Sequence, residues 1–398
     1  MSRLAARTKL IKPSVTLAIA AKAGKLRAEG VDVVNFSAGE PDFDTPQHIK
    51  DAAVEALRKG MTKYTDVRGI EPLREAIAQK YQRECGLQYK KDEVLVSCGA
   101  KHSVYNILQA VVDPGDEVLV PAPYWVSYSD MALLAQGTTN TIKTEQANGF
   151  RMKPDQLKDT LTPRTRVFIL NSPCNPTGAT YNKDELVAIA DILENHDCII
   201  LADDIYEKIV YDNLQVCNLV ALNPRLRDRT VIINGVSKSY SMTGWRIGYA
   251  LGPSDIISAA AKIQSQSTSN PTSIAQAAAL EAIQGSQDEV ASMVQEFAKR
   301  RNTIVDGLNS IPGISCLKPQ GAFYVFPNVN GLFGKRCDGN ILSSPCDVAD
   351  YFLEEAKVAV VPGEDFGSTQ HIRFSYATSR EDIEKGCDRI RQAVEKLQ

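Results

Sequence analysis

Residues 197–204 read DCIILADD, an apolar run from Cys198 to Ala202 with acidic residues on both sides. Polar and apolar positions do not alternate in it, so a strand built from this run has two apolar faces. Such a strand is stable only inside a sheet covered on both sides, and that points to parallel pairing. Working outward, TRVFILNSP (165–173) and RTVIINGVS (229–237) repeat the pattern before and after it. EVLVSC (93–98), DEVLVPAP (116–123) and RIGYALG (246–252) extend it. KHSVYNILQAVV (101–112) and KDELVAIADILENH (183–196) carry apolar residues at helical spacing between strand candidates. This alternation predicts an α/β fold around a mainly parallel sheet.

The character changes near Gln284. SQDEVASMVQEFAKRRNTIVDGLNSI (286–311) predicts a long helix. GAFYVFP (321–327), VAVVPG (358–363) and HIRFSYA (371–377) then predict the strands of a smaller α+β unit. An N-terminal helix in VTLAIAAKAGKLRAEG (15–30) is expected to pack there.

Bulk properties exclude several classes. With 398 residues, 43% hydrophobic and 23% charged, the chain has ordinary globular composition and length for two or three domains. The net charge of -3 offers no basic field for nucleic acid. No apolar stretch is long enough to span a membrane. The acid-free, basic first 28 residues would suit a transit peptide. They lack an apolar signal core and a cleavage pattern, so a surface helix is the preferred reading. Nine scattered cysteines without C-x-x-C spacing suit reduced thiols and a cytoplasmic protein. The four histidines, at 48, 102, 196 and 371, stand apart, so neither a metal site nor a histidine triad is expected. GLFGK (331–335) is too short for a phosphate-binding P-loop.

In parallel sheets, ligands bind beyond the carboxyl ends of the strands. Ser97, Gly99, Ala100 and Lys101 follow EVLV, and Tyr124 and Trp125 follow EVLVPAP. Asn171 and Asn175 follow VFIL, Asp203 and Tyr206 follow CIILA, and Ser237 and Lys238 follow VIINGV. Asp203 is either a loop acid or a partner for a ligand cation. Lys238 is either an exposed lysine or an imine-forming amine whose charge Arg246 and partial burial would destabilise. Gly99-Ala100 is a tight turn that can also present helix N-terminal amides to an anion.

GVSKSYSMTGWRIG (235–248) resembles the lysine signature of class I/II aminotransferases. AGEPDF (38–43), NSPCNPTG (171–178), ADDIY (202–206) and HIRFSYA occur in that family's order and near its spacing. The resemblance covers essentially the whole chain. KPSVT (12–16), TKYT (62–65) and YWVSY (124–128) bring it nearest to the bacterial aspartate/prephenate aminotransferases.

The resemblance implies a fold type I transferase with a seven-stranded sheet. Residues 45–285 would form the large domain, and 1–44 with 286–398 the small one. It implies pyridoxal 5′-phosphate as cofactor. Lys238 would form the imine and shuttle the proton. Asp203 would keep the ring nitrogen protonated, Tyr206 and Asn175 would bond the phenolic oxygen, and Trp125 would stack on the ring. Gly99, Ala100, Ser237 and Arg246 would hold the phosphate, joined by Tyr64 from a second subunit of a homodimer. Arg373, with Asn175 and Gly39, would bind the substrate α-carboxylate. The loop QSQSTSNPTS (264–273) has no arginine for a second carboxylate. Lys12, Thr16 and Lys101 are the candidates instead, Lys101 being equally suited to the phosphate.

The implied reaction is ping-pong exchange between aspartate or glutamate and a 2-oxo acid such as 2-oxoglutarate, with prephenate as an alternative. A pyridoxal lyase or decarboxylase on this fold is disfavoured by the carboxylate-binding arginine. A cofactor-binding transcription regulator would need a DNA-binding extension, for which the N-terminal pattern leaves no room.

Overall fold

The computed structural model describes residues 3–11, 13, 15–337 and 339–398. Its centre is a seven-stranded sheet made of β1 (Val94–Ser97), β2 (Glu117–Ala122), β3 (Thr138–Lys143), β4 (Thr165–Asn171), β5 (Ile199–Asp203), β6 (Thr230–Gly235) and β7 (Gly248–Leu251). The spatial order is β1-β7-β6-β5-β4-β2-β3. β2 to β6 pair in parallel, whereas β7 runs antiparallel to both β1 and β6.

Both faces of the sheet are apolar, as the uninterrupted runs require. Leu95, Val167, Ile169, Leu201, Val231 and Ile233 pack on one face with Val104, Ile107 and Ile257 from helices Ala100–Val111 and Ser254–Ser267. Their sequence neighbours Val94, Val96 and Ile232 face the other side, against Leu73, Ile77 and Ala278. Phe168, Leu170 and Ile200 continue that side under helix Lys183–Glu194. That helix starts where it does because Asn182 and Glu185 bond each other's backbone N–H groups, both at 2.9 Å. Cutting one such core side chain to alanine costs about 2–5 kcal/mol.

One strand was not legible. β3, TTNTIK, has no apolar run, because it is an edge strand with only Ile142 buried. Its threonines supply β propensity, and pairing with β2 does the rest.

A second core is built from both ends of the chain. The strand Val34–Asn35 pairs in parallel with Val358–Ala359. Phe36, Phe297, Phe323, Phe352, Phe374 and Ile390 pack together beneath it. Helix Asp288–Asn309 and helix Arg380–Glu395 enclose this core. The helix Val15–Ala28 packs here as expected, with Ala23 against Val33, Leu353 and Ala359. Two apolar runs are less regular than they read. VAVVPG splits into Val358–Ala359 and Val361–Pro362, which join different sheets, and within GAFYVFP only Tyr324–Val325 is strand.

Candidate active site

The carboxyl ends of the parallel strands open into a cavity of about 490 Å³. Gly39, Ala100, Lys101, Trp125, Asn175, Asp203, Tyr206, Ser237, Lys238, Arg246, Arg373 and Thr16 all line it. Gly99 does not line it but abuts it. A Cβ there would lie 2.5 Å from Nη2 of Arg246, and its φ of +97° suits glycine. Tyr64 is 90% exposed and lies outside the cavity of its own chain. Lys12 lies outside the described residues.

The reversed strand explains why Arg246 arrives here. β7 begins at the edge where β1 and β6 end, so the residues just before Gly248 sit beside the Gly99 turn. A Cβ at Gly248 would come within 2.1 Å of the Ala100 nitrogen, so this contact needs glycine. Arg246 donates from Nη1 to the Thr243 carbonyl at 2.7 Å and from Nη2 to the Cys98 carbonyl at 3.2 Å. Helix Ala100–Val111 points its N-terminus at the same place, so amides and guanidinium converge on one anion-binding corner. Lys101 stands at that corner with Nζ 5.0 Å from the Trp125 ring centroid. Burial and the Arg246 charge lower its pKa.

Asp203 ends β5 and is buried. It accepts from the Tyr128 hydroxyl at 2.5 Å and from the Ile205 N–H at 3.3 Å. Burial raises its carboxyl from an ordinary 3.8 to about 6, against the opposing pull of those bonds and of Lys238. Lys238 donates from Nζ to the Gly39 carbonyl at 2.6 Å. Its pKa falls from 10.5 to about 8, first through burial, with Glu40 opposing and Arg373, Arg246 and Lys101 assisting. An amine with that value stays mostly protonated at physiological pH, but roughly a tenth to a fifth of it is neutral, far more than for an ordinary lysine, and that fraction can attack a carbonyl carbon.

Arg373 is not a surface charge. It is 2% exposed and lies between the rings of Tyr324 and Phe366, at 4.7 and 5.1 Å. It donates to the Asn175 Oδ1 at 3.1 Å and the Ser37 carbonyl at 2.9 Å, while its buried Nε has no partner. Among the described residues no carboxylate pairs with it. A buried cation without a counter-ion costs several kcal/mol, and an anion entering the cavity would recover that cost. The cavity as a whole is cationic, with Lys101, Lys238, Arg246 and Arg373 facing Asp203 and Glu40.

Sequence reasoning placed Asn171 at a strand end without giving it a role, and it missed Tyr128, Glu40 and Tyr324 as cavity residues. Asn171 bridges two strand ends, donating to the Asp203 carbonyl and accepting from the Asn175 N–H, both at 2.9 Å. Its position after VFIL was the available signal. Tyr128 stands three residues beyond Trp125, one helical turn along, in Ser127–Leu134. Glu40 accepts from Thr243 at 2.6 Å and closes the rim. Tyr324 had no local signal.

This arrangement can bind an anion at the helix N-terminus, a second anion at Arg373, and an electrophilic carbon at Lys238 between them. The family model for aminotransferase class I and II matches residues 31–390. The aspartate aminotransferase of Geobacillus stearothermophilus is 48% identical over 397 residues, 99% of each chain. The aspartate/prephenate aminotransferase of Nitrosomonas europaea is 48% identical over 391 residues, 98% of each. The crystal structure of the Rhizobium meliloti aspartate aminotransferase superposes with a TM-score of 0.97 at 44% identity, covering 100% of both chains. On sequence, fold and the chemistry gathered at the sheet's edge, the chain belongs to the class I and II aminotransferases.

Proposed function

We propose that this chain moves an amino group between aspartate or glutamate and a 2-oxo acid such as 2-oxoglutarate, using pyridoxal 5′-phosphate. The observation that carries the reading is Arg373, a buried guanidinium with an unpartnered Nε, in the same cavity as Lys238 and Asp203. The residues also fit the cofactor. Asp203 is a buried carboxylate suited to a protonated ring nitrogen. Arg246 and the Ala100–Val111 helix form a corner suited to phosphate.

When bound, the cofactor supplies an aldehyde carbon and an electron-withdrawing ring. Arg246, Ser237 and the Gly99-Ala100 amides hold its phosphate, and Trp125 packs on its ring. Asp203 holds the proton on the ring nitrogen. Tyr206 and Asn175 bond its phenolic oxygen. Arg373 orients the substrate through the α-carboxylate, with Asn175 and Gly39 assisting. Lys238 Nζ would take the proton from the substrate α-carbon and hold it for redelivery, the general-base and general-acid role of a neutral amine. Lys101 and Thr16, with Lys12, receive the distal carboxylate.

Several features support the wider reading. The 90% exposure of Tyr64 fits a homodimer in which it reaches the partner's phosphate site. Free thiols fit the cytoplasm. The same reading puts the domain boundaries at about residues 45 and 285, which is supported by a core that draws on both ends of the chain. A second acceptor, prephenate, is supported by relatives named aspartate/prephenate aminotransferase at 48–49% identity.

The test is exchange between aspartate and 2-oxoglutarate, read as oxaloacetate formed, with prephenate as a parallel acceptor. Arg373→Met should leave the cofactor bound. It should lower kcat/KM by roughly 10²–10⁴, the worth of two charge-assisted bonds. Undiminished kcat/KM in that variant refutes the assignment.

A further inference from the structure

Tyr324 touches three of the groups just given roles. Its hydroxyl lies 2.9 Å from that of Tyr206. Its ring sits 4.7 Å from the guanidinium carbon of Arg373. Its oxygen would be 3.4 Å from a Cβ at Gly39. Tyr206 and Tyr324 are both buried, and among the described residues each hydroxyl has only the other as hydrogen-bond partner.

The two hydroxyls carry one proton each, and only one of those protons can lie between them. The other is left to point elsewhere. Which phenol donates is therefore a structural question with a chemical consequence. Tyr324 is packed against a cation, and a nearby cation makes an O–H group a better donor. Burial raises both phenols, Tyr206 well above its ordinary value and Tyr324 less so, with Arg373 opposing the rise.

We propose that Tyr324 is a positioning residue. Its hydroxyl donates to the Tyr206 oxygen, which leaves the Tyr206 proton free to point into the cavity, while its ring holds Arg373 flat for the substrate carboxylate. The inference rests on the cofactor reading above and deepens it. One side chain couples the two halves of the site, because the bond that directs Tyr206 and the face that carries Arg373 belong to the same ring. A donor that itself accepts a hydrogen bond is strengthened, so Tyr324 makes Tyr206 the better donor to the cofactor's phenolic oxygen. Other charged groups facing this pair are Arg373, Asp203, Glu40 and Lys238, and none of them changes in the test.

The experiment uses the holoenzyme and two variants. In Tyr324→Phe the ring remains and the hydroxyl is lost. The pH midpoint of the visible absorbance of the lysine-bound cofactor should rise by roughly half to one pH unit, the effect of one hydrogen bond. kcat should fall roughly three- to tenfold while KM for aspartate stays within about twofold. In Tyr324→Leu the ring is lost too, and KM should rise roughly three- to thirtyfold, the scale of a cation–π contact. An unmoved absorbance midpoint in Tyr324→Phe overturns the proposal, as does an equal KM rise in both variants. A wild-type protein that binds pyridoxal phosphate without any pH-dependent visible band would instead overturn the underlying cofactor reading.

Discussion

Asp203→Asn should make the cofactor-free protein more stable at neutral pH while disabling it. The Asp203 carboxyl is 4% exposed, and burial raises it from 3.8 to about 6. Its folded value lies above its unfolded one. The folded chain therefore holds the proton more tightly, and stability is lost as pH climbs from 3.8 through about 6. Once both states are ionised, the loss reaches about 3 kcal/mol. An asparagine does not titrate, and its side-chain oxygen can still accept from Tyr128. The stability difference, variant minus wild type, should therefore grow by about 2–3 kcal/mol between pH 4 and pH 8. Urea unfolding of both proteins at fixed concentration measures this, and the pH dependence of groups that do not interact with Asp203 cancels in the difference. A difference that is flat across that range refutes the argument. The same variant should lose most of its turnover, because an amide cannot hold a proton on a ring nitrogen. Its site is destabilised in isolation for the benefit of the bound state.

Three further outcomes follow from the same cavity. Tyr128→Phe removes the 2.5 Å bond that favours the Asp203 carboxylate. The acidic limb of the pH–rate profile should therefore shift to higher pH, and an unshifted limb would show that the bond does not act on the ionised form. Borohydride trapping of pyridoxal on the cofactor-free protein should reach half its maximum near pH 8, following Lys238, and vanish in Lys238→Ala. Trapping that rises only near pH 10.5 would place the reactive amine elsewhere. Gly99→Ala puts a Cβ against the Arg246 guanidinium at a φ of +97°. It should weaken cofactor retention at least tenfold by dialysis, with backbone strain of about 1–3 kcal/mol, whereas undisturbed retention would remove Arg246 from the phosphate corner.

How far the sequence could be read depended on whether the deciding interaction was local. Buried parallel strands announce themselves, because two covered faces demand an unbroken apolar run, and Cys198–Ala202 is such a run. β3 sits at the sheet's edge with mixed exposure, so nothing in TTNTIK had to be apolar, and only its pairing with β2 makes it a strand. The catalytic candidates were legible for a related reason. Asp203, Tyr206 and Lys238 stand at or just beyond the ends of β5 and β6, so placing those strands placed the side chains.

Tyr324 marks where this logic stops. Its partner Tyr206 is 118 positions away, and its neighbours in GAFYVFP are as apolar as any core strand. Sequence alone gives a tyrosine in that run no chemistry, because the chemistry comes from what the other chain ends deliver beside it. The strand Ile372–Ser375 brings Arg373, the segment after Phe36 brings Gly39, and β5 brings Tyr206 on the loop beyond its end. Asp203, Tyr206 and Lys238 follow from strand ends, whereas Arg373, Gly39 and the residues that orient these binders are brought in by packing between distant segments. Substitutions that retune the site without touching a ligand should therefore concentrate where the second core meets the sheet's edge, with the Tyr206–Tyr324 contact as the first position to vary.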